Sequence, residues 1–577
     1  MKDLSLGRVA LFCLALLPGL PVWAEALLEV RLRPSDSALR ANIEAYVGNL
    51  GERDPAALQR FARSAEQQAQ QALQALGYYR AQVVSQVDEH QGRPRLRLLV
   101  RQGEPVRLQQ VTIEVLGEAA SLAAFRRPRS SRLQPGQVLD HGAYEAAKKL
   151  LASQAQRYGF FQGRFIEQRL RVDPQAGTAD IHLRYTSGPR HRFGAVSFQG
   201  DFAIDERLLQ RLQPFAVGDA YDADLVARFA QNLRDSGYFA EVRVDALAEQ
   251  RSGLAVPVQV NLQQVLPRSF TLGLGYSTDI GPRSRASWTR HWLNPQGHSL
   301  GADAELALER QAVGSWYQIP LQQALTDHLR FTAGYQQEQM IDIDTRRYRL
   351  GAEWQAMLAG DWQRNLSLNW QEERYDYGQG SPDGRSQLLL AGLGFNHLHS
   401  DSPINPSQGY RLQIDSQMAK RGLLADTDLL QVNAQAKGLY SFAAGHRLLA
   451  RVQAGGIATN DYAAVPPSLR FFAGGDQNVR GYDYQSLSPE DRRGNKVGAR
   501  YLLAGSLEYQ YPLREQWRLA TFVDRGNAFD SLSARHFTGI GLGLRWLSPV
   551  GPLRLDLAHA LDEPGGVRLH FSMGPEL

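Results

Sequence analysis

Strict alternation of apolar and polar residues across the second half of the chain constrains its fold more than any other feature. In Ser269–Ser277, Phe270, Leu272, Leu274 and Tyr276 point one way, while Ser269, Thr271, Gly273, Gly275 and Ser277 point the other. Ile540, Leu542, Leu544 and Trp546 alternate in the same way with Gly539, Gly541, Gly543 and Arg545. Leu553, Leu555 and Leu557 alternate with Arg554 and Asp556, and Val567, Leu569, Phe571 and Met573 with Arg568, His570 and Ser572. Period two makes each segment a strand with two unlike faces. One apolar face and one rich in glycine and charge suit a strand set between lipid and a wet lumen. A soluble sandwich also alternates, but its polar face rarely carries so much glycine and arginine. Lipid supplies no partner for backbone groups at an open edge, so the sheet must close. Residues 266–577 accommodate roughly 16 strands at ~10 residues each with their turns. Nowhere does the chain offer the ~18 consecutive apolar residues of a membrane-spanning helix.

The first half follows a different period. Lys2 and Arg8 precede the apolar run from Val9, Pro18-Gly19 and Pro21 break it, and Val22-Trp-Ala24 places small residues before a cleavage point. This is a secretory signal over 1–24, cut after Ala24. The sole cysteine, Cys13, falls inside it, so the exported chain is expected to have no thiol chemistry. Three segments then share one plan. An amphipathic helix starts at Asp54-Pro55, near Asp140 and near Asp222, and ends at Gly77-Tyr-Tyr79, Gly159-Phe-Phe161 and Gly237-Tyr-Phe239. Aspartate suits the helix N-cap and glycine the left-handed C-cap, and the aromatic pair is expected to pin the helix to the following strand. The glycines recur about every 80 residues, and each unit reads as strand, helix, helix, strand, strand. A net charge of +5 spread over scattered lysines and arginines argues for a generally basic surface rather than a nucleic-acid site.

Within the alternating half, FFAGGDQNVRGYDYQ (Phe471–Gln485) interrupts the strands with a glycine-rich stretch holding one arginine, Arg480. Its glycines permit an inward fold, and the Arg480 fork is what carboxylates can grip bidentately. Phe522-Val-Asp524 and Ser506-Leu-Glu508 supply acids on strand faces pointing to the lumen. His397, His399 and Asp401 also share a strand face, but polar lumen residues are commonplace, so no metal is assigned to them. No catalytic, cofactor or metal site is read from the sequence, and no P-loop is present.

Residues 25–264 resemble tandem POTRA domains, and the barrel motifs resemble those of the Omp85 superfamily. Val479-Arg480-Gly481-Tyr482 matches the family's lumen-loop motif, and Asp524 and Glu508 match acids that the resemblance makes its anchors. Three repeats before the barrel, with Gly275–Pro282, Trp292–His298 and Gly574–Leu577, resemble the TamA branch of that superfamily. The organisation expected is a signal over 1–24, POTRA domains over 25–103, 104–187 and 188–265, and an outer-membrane barrel over 266–577. The resemblance implies a TamB-like periplasm-spanning partner anchored in the inner membrane, unfolded outer-membrane clients including autotransporter-type proteins, and a surround of outer-membrane lipid. The POTRA domains would lie in the periplasm, and no enzyme activity is implied. Gly273 and Gly275 in the first barrel strand, and Phe571, Gly574 and Pro575 at the end of the last, imply a short, weak lateral seam. The function expected is insertion or translocation of outer-membrane proteins through POTRA docking and that seam. The alternative is a two-partner-type secretion channel or gated pore plugged by the Arg480 loop.

Overall fold

The computed structural model describes residues 25–125, 132–377, 383–548, 551–563 and 566–574. The signal read over 1–24 lies outside the described residues. Three small mixed sheets precede one sheet of 16 antiparallel strands. In each small sheet the last strand is central, pairing parallel with the first strand and antiparallel with the second in both repeats whose registers are resolved. The first strands of the second and third sheets carry isolated bridges on their outer edges, Arg107 to Val138 and Arg192 to Ala220, so the edges left open there are those of the second strands.

The repeat helices form where capping and periodicity place them. Asp54 accepts from Ala57 N before Pro55–Ala75, and Asp140 accepts from Ala143 N before His141–Arg157. Gly77, Gly159 and Gly237 all adopt positive φ just past the helix ends, at +89°, +81° and +71°. In the first repeat, helices Ser37–Val47 and Pro55–Ala75 bury Ile43, Leu58 and Leu73 against Leu96 and Leu98 of the central strand. The middle repeat departs from the plan. Its first helix is reduced to the 3-10 turns Glu118–Ser121 and Ala123–Phe125.

The aromatic pairs do more than hold a helix to its own strand. Tyr78 packs in the first core, but Tyr79 belongs to the next one, with its hydroxyl 2.7 Å from His141 Nε2. Phe160 is likewise in its own core, whereas Phe161 packs edge-on against His191 and Tyr221. The chain divides into two compact units. The first runs to Val196 and takes in Phe215–Val226 and Ala246–Val258; the second takes Ser197–Pro214, Ala227–Asp245 and everything from Gln259. Within the second unit, the third pair also reaches outward, because Tyr238 donates to the Gly297 carbonyl at 2.9 Å in the turn after the second barrel strand.

The barrel strands run in chain order from Arg268–Ser277 to Val567–Met573. Their faces separate as the alternation requires. Phe270, Leu272, Leu274, Leu507, Leu542, Leu557 and Leu569 are exposed on the outer wall, while Glu508, Gln510, Asp524 and Asp556 are buried inside. No ladder joins the first strand to the last among the described residues. The barrel is nearly closed and its seam is unsealed.

Candidate functional site

The site is built on the loop of residues 460–500, which connects strands His446–Thr459 and Tyr501–Arg514. It folds inward and carries its own apolar cluster: Val465, Ala473, Val479, Tyr482 and Leu487 pack against Leu502, Ala504 and Ala528 of the barrel wall. Asn478 ties the turn by accepting from Gly474 N and Val479 N, each at 2.8 Å. Ser468 donates from its backbone N to Glu373 at 3.1 Å, anchoring the loop's other end.

Arg480 is 4% exposed and meets three carboxylates. Its Nε and Nη2 form a fork on Asp524, at 2.7 and 2.9 Å, and its backbone N adds a third bond to the same carboxylate at 3.1 Å. Nη1 donates to Glu508 at 2.9 Å and to Asp556 at 3.0 Å. The guanidinium also lies 3.4 Å from the centroid of the Phe522 ring. Burial works against its charge, but Asp524, Glu508 and Asp556 together hold it protonated above the ordinary arginine range.

Sequence reasoning named Arg480, Asp524 and Glu508, and the structure brings these three together. Sequence reasoning placed Asp556 and Arg545 on polar strand faces but did not assign them to the loop's anchors. Arg545 grips Glu508 at 2.8 and 3.0 Å and Asp556 at 2.6 Å, so two guanidiniums and three carboxylates form one buried network. Arg451, 4.0 Å from Asp524, brings the third positive charge. A charged residue amid the leucines of each strand was the available signal. Nothing in the sequence said that Asp556 would meet Arg480, or that Arg545 would grip Glu508 and Asp556.

Strand Phe537–Ser548 explains the glycine column opposite the loop. A β-carbon at Gly539 would collide with the Arg480 carbonyl, at Gly541 with the Phe522 ring, and at Gly543 with the Asp556 carboxylate. Gly481 is confined chiefly by its φ of +95°, with the backbone of His559 and Ala560 crowding the place a β-carbon would take. Val479 and Tyr482 are fully buried, and the Tyr482 hydroxyl donates to the Thr538 carbonyl at 3.2 Å.

The seam residues are only partly brought together. Phe571 meets Tyr276, with ring centroids 5.8 Å apart, accepts from Thr278 N through its carbonyl and donates from its own N to Thr278 Oγ1. Gly273 and Gly275 instead lie opposite Arg285 and Arg283 of the second strand. Gly574 is bound to the preceding strand, through Pro552 O and Arg554. Pro575 lies outside the described residues. A closed sheet staggers its strands, so residues at matching heights in the sequence need not meet across the closure.

His397 stacks on Trp362 at 4.9 Å, and Asp401 accepts from Ser407 N at 2.8 Å, so these side chains have structural partners. Asp279, Asp476 and His570 also converge. Both ring nitrogens of His570 are occupied by hydrogen bonds, which makes this a closed polar network.

Comparisons with known proteins agree with this architecture. An Omp85 superfamily domain matches residues 267–576. A POTRA domain described as TamA domain 1 matches residues 29–102, and a POTRA model described as a surface antigen variable number repeat matches 191–264. The outer membrane protein assembly factor BamA of Nitratidesulfovibrio vulgaris (strain Hildenborough) is 23% identical over 451 residues, covering 74% of this chain and 56% of the relative. The chain thus spans little more than half of that relative's length. BamA of Neorickettsia risticii (strain Illinois) is 23% identical over 519 residues, covering 83% and 67%. The solved structure of BamA from Haemophilus ducreyi lacking POTRA domains 1–3 has a TM-score of 0.66 at 15% identity, covering 81% of this chain and 99% of that one, and shows the fold alone. With the Omp85 match extending over more than half of its residues, the chain belongs to the Omp85 superfamily, as an outer-membrane β-barrel with N-terminal POTRA domains.

Proposed function

We propose that this chain is an outer-membrane protein assembly factor of the TamA type, which uses its seam to admit client strands into lipid. The observation that carries the reading is the unpaired closure between Arg268–Ser277 and Val567–Met573. An ordinary pore gains nothing from a barrel without a sealing ladder, whereas a protein that templates nascent strands needs a strand edge it can expose. The TamA-type first POTRA favours this branch. On this reading a TamB-like protein docks on the POTRA domains, at 25–103, 104–187 and 188–265, and the clients include autotransporter-type proteins. The open sheet edges, such as Gln82–His90 in the first repeat, suit an extended partner added as a further strand. The Arg480 network is a clamp, and no chemistry is asked of it: Omp85 assembly factors are not enzymes.

The seam is tested by locking it. Cysteines at Tyr276 and Phe571, whose rings already touch, are oxidised in a Cys13→Ser background. Surface display of an autotransporter-type client is expected to stop on oxidation and return on reduction. Display that continues through the locked state overturns the seam mechanism. The second reading, a channel plugged by the Arg480 loop, is favoured by the depth at which that loop is buried in the lumen.

A further inference from the structure

The closure between the first and last strands is made by a third element. Thr278, just beyond the first strand, donates its N–H to Phe571 O at 3.2 Å, and its Oγ1 accepts from Phe571 N at 3.1 Å. The same hydroxyl then donates to the Asp476 carboxylate, at 2.9 and 3.1 Å. Asp476 belongs to the lumen loop. From the other side its carboxylate meets His570 Nδ1, on the last strand, at 2.6 Å. The direction of that bond follows from the next one. Gly481 N can only donate, and it points at His570 Nε2 at 2.9 Å. Nε2 is therefore the acceptor, and Nδ1 carries the hydrogen given to Asp476. Asp476 and His570 are 4% and 7% exposed, so these bonds are made out of water.

Two more contacts bind the loop to each flank. Asp476 N donates to the Asp279 carboxylate at 3.0 Å, in the turn after the first strand. Arg568, two residues before His570 on the last strand, donates to the Gly481 carbonyl and to Asp483 Oδ2, the latter at 2.9 Å.

We propose that the lumen loop is the fastener of the seam: Asp476 latches Thr278 of the first hairpin and His570 of the last strand to one carboxylate, in place of a strand ladder. The two sides of the closure are held to the loop more than to each other. Asp476 lies four residues before Arg480, so the clamp on Asp524, Glu508 and Asp556 sets the latch in position. Displacing the loop leaves only the two direct Thr278–Phe571 bonds across this point, and opening the seam requires the loop to let go of at least one side. The biological use of this device rests on the assembly reading, but the device itself is a property of the barrel. Its experiment reads the seam and not a client, so the two fail separately.

The test uses the full chain in lipid nanodiscs. Spin labels on cysteines at the lipid-facing Leu274 and Leu569, in a Cys13→Ser background, report the width across the seam. Asp476→Ala and His570→Ala are each expected to raise the population of a longer distance by about tenfold, the size of one lost charge-assisted hydrogen bond. The double variant is expected to add little, because both act through one carboxylate. Thr278→Val, which keeps the shape and removes only the hydroxyl, is read as well in case an alanine variant fails to give a heat-modifiable, folded barrel. Folded variants whose distance distributions match the parent overturn the latch. So does a double variant whose effects simply add, since that result assigns the two residues independent roles.

Discussion

At the scale of single residues, Arg480 is a buried cation whose desolvation is offset only because its fork, its third nitrogen and its backbone all have anionic partners. Removing it leaves Asp524, Glu508 and Asp556 facing one another with Arg545 and Arg451 as the remaining counter-charges. Arg480→Ala is expected to cost about 3–5 kcal/mol, the usual effect of breaking a buried ion pair, read as a lower unfolding midpoint and faster proteolysis within residues 460–500. Arg480→Lys is expected to recover little of this, because a single ammonium cannot span Asp524 bidentately and also reach Glu508 and Asp556. A lysine variant with parental stability would show that charge alone holds the loop. Gly481→Ala is expected to loosen the loop as well, since its φ of +95° disfavours any β-carbon and the backbone at His559 and Ala560 leaves one little room. The arginine and two of its acids were legible in the sequence because each sits in a distinctive local pattern. Asp556 and Arg545 were legible only as lumen-facing charges, since Asp556 meets an arginine contributed by a distant loop and Arg545 joins it through Asp556 and Glu508.

At the scale of elements, the first hairpin and last strand meet at one point and not along a ladder. Phe571 meets Tyr276 and Thr278, at the far end of the first strand and just beyond it, because the strands are staggered at the closure. The turn carrying Asp279 adds a dependence on pH. Burial, and then the charge of Asp476, push the Asp279 carboxyl up to about 7. It faces Asp476 and Tyr484 of the loop and His570 of the last strand. A docked turn therefore holds a proton that an undocked turn gives up near the ordinary aspartate value of 3.8. Docking weakens as pH rises through that window and levels off above about 7. The Leu274–Leu569 spin pair is expected to show a wider seam at pH 8 than at pH 5, and Asp279→Asn is expected to flatten that difference. An asparagine variant with an unchanged pH response would remove Asp279 from the account. The repeat modules teach a related lesson. Glycine and an aromatic pair marked each helix end correctly, yet Tyr79 and Phe161 serve the joint to the next module, which no single repeat could disclose.

At the scale of the whole molecule, the two functional readings part over what happens when the loop is freed. The loop is tied at Ser468 to Glu373 as well as at Arg480, so losing the clamp alone does not clear the lumen. Arg480→Ala is therefore expected to impair client assembly without producing a large, steady conductance in planar bilayers. A stable open pore would favour the plugged channel. The sequence by itself determined the two architectures, because period-two alternation and glycine-terminated amphipathic helices are local properties of the chain. Parity put Glu508 and Asp524 on polar strand faces, and the resemblance of Val479–Tyr482 to the family's lumen-loop motif implied that Arg480 would fold inward to them. Only the tertiary structure decided which groups meet. Thr278 lies 198 positions from Asp476 and 293 from Phe571. Such pairings are set by the stagger of a closing sheet and the path of an inward loop, and no local pattern encodes either.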